Sequence, residues 1–201
     1  MTDSFAKRAT QWDSPQKVNM TDAFVAAMLK VVEPEKNWTA LEIGAGTGLV
    51  GMQVLPKVKK MVFEDTSEAM LGVLKEKLQK SDNAQIVHGE VAEYKNCDID
   101  FAFSCMAFHH IVDIDATLEH LATITRKGAT IVVGDVRTED GSFHHFEPIP
   151  HTGFDTDELG RQFEKAGFKV HFVKTYNILK RERTPGVISE YEQFMLVAQK
   201  I

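Results

Sequence analysis

The sequence is short of the residues that build cross-linked or membrane-bound scaffolds. It holds two cysteines, Cys97 and Cys105, in 201 residues, too few for a disulfide framework and in keeping with a reducing compartment. Long apolar runs are missing. The longest stretches, such as Phe101–Phe103 and Ile131–Val133, suit buried strands and fall far short of a bilayer span. Met1 to Trp12 is polar and lacks the apolar core of a signal peptide. These absences predict a cytoplasmic protein with no membrane partner. Positive charge is scarce as well, with 23 Lys and Arg against 29 Asp and Glu and a net charge of -6. A duplex-binding surface needs clustered Lys and Arg to displace counterions from phosphates. The one short run, Lys57, Lys59 and Lys60, is followed closely by Glu64 and Asp65, so nucleic acid is not the expected partner. No repeat, linker or low-complexity segment divides the chain.

What is present reads as one globular domain over 1–201. Hydrophobic residues make up 43% and charged residues 26%, ordinary values for a chain with a single sizeable core. Short β-branched or aromatic runs recur at Thr39–Gly44, Lys60–Asp65, Gln85–His88, Ile99–Met106 and Ala129–Val136. Helical spacing lies between them. Ser67 can cap a helix carrying Met70, Leu71, Leu74 and Leu78, and Ile114, Leu118, Leu121 and Ile124 mark another from about Asp113 to Arg126, with Gly128 as its C-terminal stop. A third begins near Asp155 and Thr156 and ends before Gly167. Alternation of this kind predicts a parallel sheet covered by helices on both faces. Phe168–Tyr176 and Glu192–Gln199 leave no room for a crossover helix, and Arg181–Gly186 has loop chemistry, so an antiparallel pair should close one edge. Residues 1–36 form an N-terminal helical segment, opened by Ser14 and Pro15, that either joins the core or caps a ligand cleft.

The most informative segment is Leu41-Glu42-Ile43-Gly44-Ala45-Gly46-Thr47-Gly48-Leu49-Val50-Gly51. An apolar strand runs into alternating glycines and then a helix, the arrangement by which a backbone approaches a nucleoside cofactor closely. Two cofactors compete. Gly46 to Gly51 matches G-x-G-x-x-G, and Glu64 or Asp65 follows at about the ribose-binding distance of a dinucleotide site. Glu42 points the other way, because a carboxylate repels a pyrophosphate but suits the amino group of S-adenosylmethionine (SAM). Its plainer alternative is to accept backbone hydrogen bonds at the strand end.

Glu42-Ile43-Gly44-Ala45-Gly46-Thr47-Gly48 resembles motif I of class I SAM-dependent methyltransferases. Phe63-Glu64-Asp65-Thr66-Ser67-Glu68-Ala69-Met70-Leu71 resembles their second-strand motif, and Gly89-Glu90-Val91-Ala92 resembles their Gly-Asp-Ala stretch with Glu for Asp. Asp100 to Asp113, Asp135 to His144 and Gly153-Phe154-Asp155 are similar to the small bacterial, ubiquinone-biosynthesis-like branch. The resemblance implies a Rossmann-like three-layer sandwich with a seven-stranded, mostly parallel sheet and an antiparallel edge pair. It also implies SAM as cofactor, held by Glu42, Gly44, Ala45, Gly46, Thr47, Gly48, Asp65, Thr66, Glu90, Val91 and Ser104, with Asp65 on the ribose hydroxyls. A nicotinamide-dependent oxidoreductase and a non-catalytic SAM-binding or partner-binding module stand as alternatives.

Histidines mark the acceptor side. His109 and His110 follow the fourth strand, where crevices form in open α/β sheets, and either could take a proton from a substrate; packing against the helix behind is the plain alternative. Phe108, His144, His145 and His151 are further candidates for shaping a small-molecule site, the last three in a loop able to close over it. A metal held by Asp135, His144, His145 and Glu147 is conceivable, but adjacent histidines usually point apart, so none is expected. Ser104-Cys105-Met106-Ala107 stands where amino-methylating relatives carry Asn/Asp-Pro-Pro-Tyr, so the acceptor atom is not specified. Oligomeric state is not legible.

Overall fold

The computed structural model describes residues 5–79, 81–146, 148–184 and 186–201. Glu147, named above, and Pro185, within the expected loop, lie outside them. Seven strands form one sheet: β1 (Thr39–Ile43), β2 (Lys60–Asp65), β3 (Ala84–His88), β4 (Ile99–Cys105), β5 (Thr125–Val136), β6 (Phe168–Thr184) and β7 (Val187–Lys200). Their spatial order is β3-β2-β1-β4-β5-β7-β6. β1 pairs parallel with β2 and β4, and β7 runs antiparallel between β5 and β6.

The helices are α1 (Pro15–Met28), α2 (Gly51–Val54), α3 (Glu68–Leu78), α4 (Ile114–Ile124) and α5 (Thr156–Lys165). Side chains cap several of them: Ser14 accepts from the Lys17 amide, Ser67 from Met70, Asp113 from Ala116, and Asp155 from Asp157 and Glu158, each satisfying donors that a first helical turn leaves open. α1, α2 and α3 cover one face, where Phe24, Met28, Val54 and Leu74 pack on Phe63, Phe101 and Phe103. α4 and α5 cover the other, where Leu118, Leu121, Leu159 and Phe163 meet Leu41, Ile131 and Leu196. Strands buried on both faces explain why β1 reads as an almost unbroken apolar run. α1 belongs to this core. Phe24 lies over Gly134 of β5, where an added Cβ would come within 2.4 Å of its ring.

Two expectations need correction. α4 ends at Ile124, and Thr125 opens β5 opposite Ile99 while its hydroxyl donates to the Leu121 carbonyl at 2.7 Å. Gly128, with φ +84°, therefore lies within β5, in the stretch where the pairing shifts register between Ile99 and Phe101, and is not a helix stop. The second correction concerns the edge pair. It is a long hairpin paired from Phe168↔Lys200 out to Thr184↔Val187, with three bulges, so Arg181–Thr184 is strand and not loop. Cross-strand charge pairing, as between Lys180 and Glu190 at 2.7 Å, suits those polar residues to extended backbone.

The strand order reverses between β1 and β4. Ligand crevices in such sheets open beyond the carboxyl ends of the strands at that point, and the sequence places both the glycine turn and the histidine pair there. A surface depression lined by Leu29–Glu33, Pro56 and Lys57 lies at the opposite end of the sheet, away from these groups.

Candidate active site

The loop after β1 requires glycine. Gly44, Gly46 and Gly48 have φ of +67°, +54° and +81°, conformations that residues with a Cβ adopt at a cost. Gly44 is also steric, since a Cβ there would stand 2.3 Å from the Cβ of Ala107 in the loop after β4. The glycine loop and the histidine-bearing loop are thus in direct contact.

Three carboxyl groups hold the loop. Glu42 is 3% exposed and accepts from the Gly51 amide at 3.0 Å. The structure therefore gives it the backbone-holding role, anchoring the first turn of α2. Burial pushes its carboxyl well above the ordinary range, and Asp65 adds repulsion. Glu64 accepts from the Gly44 amide at 3.3 Å. Burial raises it to about 8, with help from Asp65 and Glu90 and against the Gly44 hydrogen bond. Asp65, at the end of β2, accepts from the Gly46 amide at 2.6 Å and from the Ser67 amide at 2.8 Å. Thr66 and Glu90 are exposed beside it, and Val91 is buried. Ser104 is fully buried and donates to the Ile43 carbonyl at 2.9 Å, so its hydroxyl fastens β4 to β1 and does not face the crevice. α2 is a single turn, broken off at Pro56, shorter than the sequence pattern implies.

The chain before α1 lies across this loop. The Thr47 hydroxyl donates to Asp13, and Lys77 pairs with Asp13 while donating to the Thr47 carbonyl. The Trp12 indole nitrogen lies 3.9 Å from where a Cβ on Gly46 would be, and the Lys17 ammonium sits 3.2 Å from the Trp12 ring centre. Trp12 and Asp13 were invisible as site residues in the sequence. Neither belongs to a periodic or glycine-rich pattern.

On the other side, Phe108–His110 form a 3-10 turn after β4. Phe108 is fully buried, packs in the core on the α4–α5 side of the sheet and stacks on Phe163 of α5. His109 is buried, and its Nδ1 lies 2.7 Å from Oδ1 of Asp135, whose other oxygen accepts from the His109 amide at 3.2 Å. Asp135 is the one acid in the buried end of β5, and that position was its sequence signal. His110 lies 4.2 Å from the His109 ring, between centres, and edge-on to Phe5. Burial, with repulsion from His109 and His144, lowers its pKa to about 3, so it is neutral at physiological pH.

His144 completes the cluster, with its ring centre 4.7 Å from His109 and 5.5 Å from His110. Its turn is tied down: Glu139 accepts from the Gly141 and Phe143 amides, Asp140 from the Ser142 amide, and the Ser142 hydroxyl lies 2.7 Å from the Tyr191 hydroxyl. His145 is exposed and stands outside the cluster. His151 supports from behind. Its ring bonds the Ile111 carbonyl at 2.9 Å and its amide the His109 carbonyl. The imidazoles that converge are therefore His109, His110 and His144. Cys105 is held as a thiol, its pKa pushed up chiefly by burial.

This sheet order, with acidic and glycine loops at the reversal point, is the arrangement of the Rossmann-like methyltransferase fold. Residues 41–131 match the family model of the methyltransferase domain. An uncharacterized methyltransferase of Schizosaccharomyces pombe is 25% identical over 146 residues, 63% of this chain and 51% of that protein. The chain spans about half or less of the length of the curated relatives it matches. Among solved structures, a chain from the complex of the Haloferax volcanii Trm112 methyltransferase activator superposes with a TM-score of 0.83 at 17% identity, covering 99% of this chain and 98% of that one. A SAM-dependent methyltransferase of Aquifex aeolicus gives 0.72 at 20% identity, with 98% of each chain covered. Likeness at these identities speaks for the fold alone. Among the described residues no helix is long and apolar enough to cross a membrane.

Proposed function

We propose that this protein transfers the methyl group of SAM to a small-molecule acceptor held beside His109, His110 and His144. The carrying observation is the contact between Gly44 and Ala107. It sets the cofactor loop against the loop that presents the histidines, so a methyl donor on one faces an acceptor on the other. Methyl transfer from a sulfonium is an in-line displacement whose main demand is that alignment. The acceptor lone pair forms the new bond to carbon, and the electron pair of the broken C–S bond stays on sulfur, leaving S-adenosylhomocysteine.

The cofactor side is acidic. Asp65 and Glu90 stand at one end of the sheet beside the buried Glu42 and Glu64, and their carboxylates give a favourable field for a ligand carrying a sulfonium and an ammonium. Gly44 to Gly48 and Asp65 to Thr66 would line the nucleoside and its ribose, and Glu90 and Val91 its base. The whole of 1–201 acts as one domain, with the stretch from Phe5 to Ser14 covering the crevice while α1 stays in the core. The acceptor is small in this reading, because no basic stripe serves a polynucleotide.

Isothermal titration with SAM, S-adenosylhomocysteine and NADH tests it. Micromolar binding of the first two, weakened at least tenfold in Asp65→Ala and absent for NADH, is the expected result. NADH binding without SAM binding would overturn the reading. SAM binding with no turnover across thiol, hydroxyl and amine acceptors would make the chain a binding module.

A further inference from the structure

We propose that His109, His110 and His144 form a site for one divalent transition-metal ion of the zinc class, with Asp135 as its outer carboxylate. One ring nitrogen from each histidine lies within 4.8 Å of the other two. Zinc–imidazole bonds are about 2.0–2.1 Å and tetrahedral ligand atoms about 3.4 Å apart, so modest side-chain rotations close the set. Neighbouring histidines ordinarily diverge, but here the 3-10 turn brings both rings to one side.

The surroundings are those of a built metal site. His109 gives Nδ1 to Asp135 at 2.7 Å, which leaves Nε2 as the ligand atom and fixes the ring. Asp135 is itself fully buried and accepts from the His109 and Val136 amides. A carboxylate behind a ligating imidazole is the usual means of orienting it and raising its basicity. His144 is presented by a turn fastened through Glu139, Asp140 and Tyr191. All three ligands are aromatic nitrogens, the donor type that zinc, copper, nickel and iron favour over magnesium and calcium.

Three protein ligands leave a tetrahedral ion one position short, and three neutral imidazoles leave its charge uncompensated. An anionic oxygen or sulfur ligand fits that position. The acceptor class that follows, which rests on the methyl-transfer reading above, is a thiol or acidic hydroxyl. Its proton passes to water on coordination, its lone pair takes the methyl carbon, and the C–S electron pair remains on sulfur.

The test uses chelator-treated full-length protein titrated with zinc and, separately, with cobalt. One equivalent should bind with micromolar or tighter affinity, cobalt giving the intense visible bands of a tetrahedral ion. X-ray absorption on the zinc-loaded wild type should show nitrogen scatterers near 2.0 Å with imidazole signatures. His110→Ala and His144→Ala should each lower affinity at least a hundredfold, and Asp135→Asn about ten- to a hundredfold. His171→Ala, on exposed β6, should leave it unchanged. Absent stoichiometric binding, octahedral cobalt, or a spectrum without imidazole would overturn the inference even if the variants fail to fold. SAM titration of the metal-free protein separates the two readings. A protein that binds SAM but fails to bind zinc removes this inference alone, whereas one that binds zinc but fails to bind SAM removes methyl transfer and leaves the metal site standing.

Discussion

Glu64 is a carboxyl that the fold keeps protonated at neutral pH. Its pKa is about 8 against an ordinary 4.5, so between those values the folded state holds a proton that the unfolded chain has released. Stability therefore falls as pH rises from about 4.5 to about 8 and levels off above, by an amount on the order of a few kcal/mol. Glu64→Gln keeps an acceptor for the Gly44 amide and removes the titration. Urea midpoints measured at pH 5 and pH 8 should fall by much less in the variant than in the wild type; parallel losses would show that Glu64 is not the group responsible. Sequence could place Glu64 on β2 but could not say that it is buried. Its neighbours Phe63 and Asp65 face the side of the strand opposite to Glu64, and how far each side is covered is a property of the assembled sheet. Glu42 shows the same limit. Its carboxyl was recognisable as unusual, while its partner, the Gly51 amide, is set by how the loop closes.

At the scale of elements, the strands and capped helices were legible because burial on both faces and cap chemistry leave local signatures. β2 was read with its observed bounds, and the caps at Ser14, Ser67, Asp113 and Asp155 stand where their side-chain types suggest. The β6–β7 hairpin was legible only in its inner half. Its outer half pairs with itself and not with the rest of the sheet, so its residues alternate charge with scattered Ile178, Leu179 and Ile188 and carry no core pattern. That outer half reaches the site through Tyr191, which packs edge-on to Phe143 and bonds Ser142, next to His144. Tyr191→Phe keeps the ring contact and breaks the bond. A loss of about 1 kcal/mol in unfolding free energy is expected, together with faster amide exchange across residues 141–146. Unaltered exchange there would mean that the loop is held by its acidic side chains alone.

For the whole molecule, the class of fold was readable from strand–helix alternation and the single glycine turn, and the sheet order agrees with it. The convergence of His109, His110 and His144 was not, because 34 residues separate the ends of that set in the chain and only the adjacency of β4 and β5 closes the gap. The proposed single domain requires that cofactor binding be felt by the whole cooperative unit. SAM at a hundred times its dissociation constant adds about 2.7 kcal/mol, which for a chain of this size raises the melting temperature by roughly 5–11 °C. A scanning calorimetry trace that splits into two transitions, only one of them shifted, would show that the crevice and the core unfold separately.

The segment ahead of α1 touches both sides of the crevice, Trp12 and Asp13 at the glycine loop and Phe5 at His110. On the proposed reading, donor and acceptor share one door. A single opening event would then govern the entry of both and the departure of both products, and where that event limits turnover, slowing it would lower the turnover ceiling and the escape rate of S-adenosylhomocysteine by the same factor.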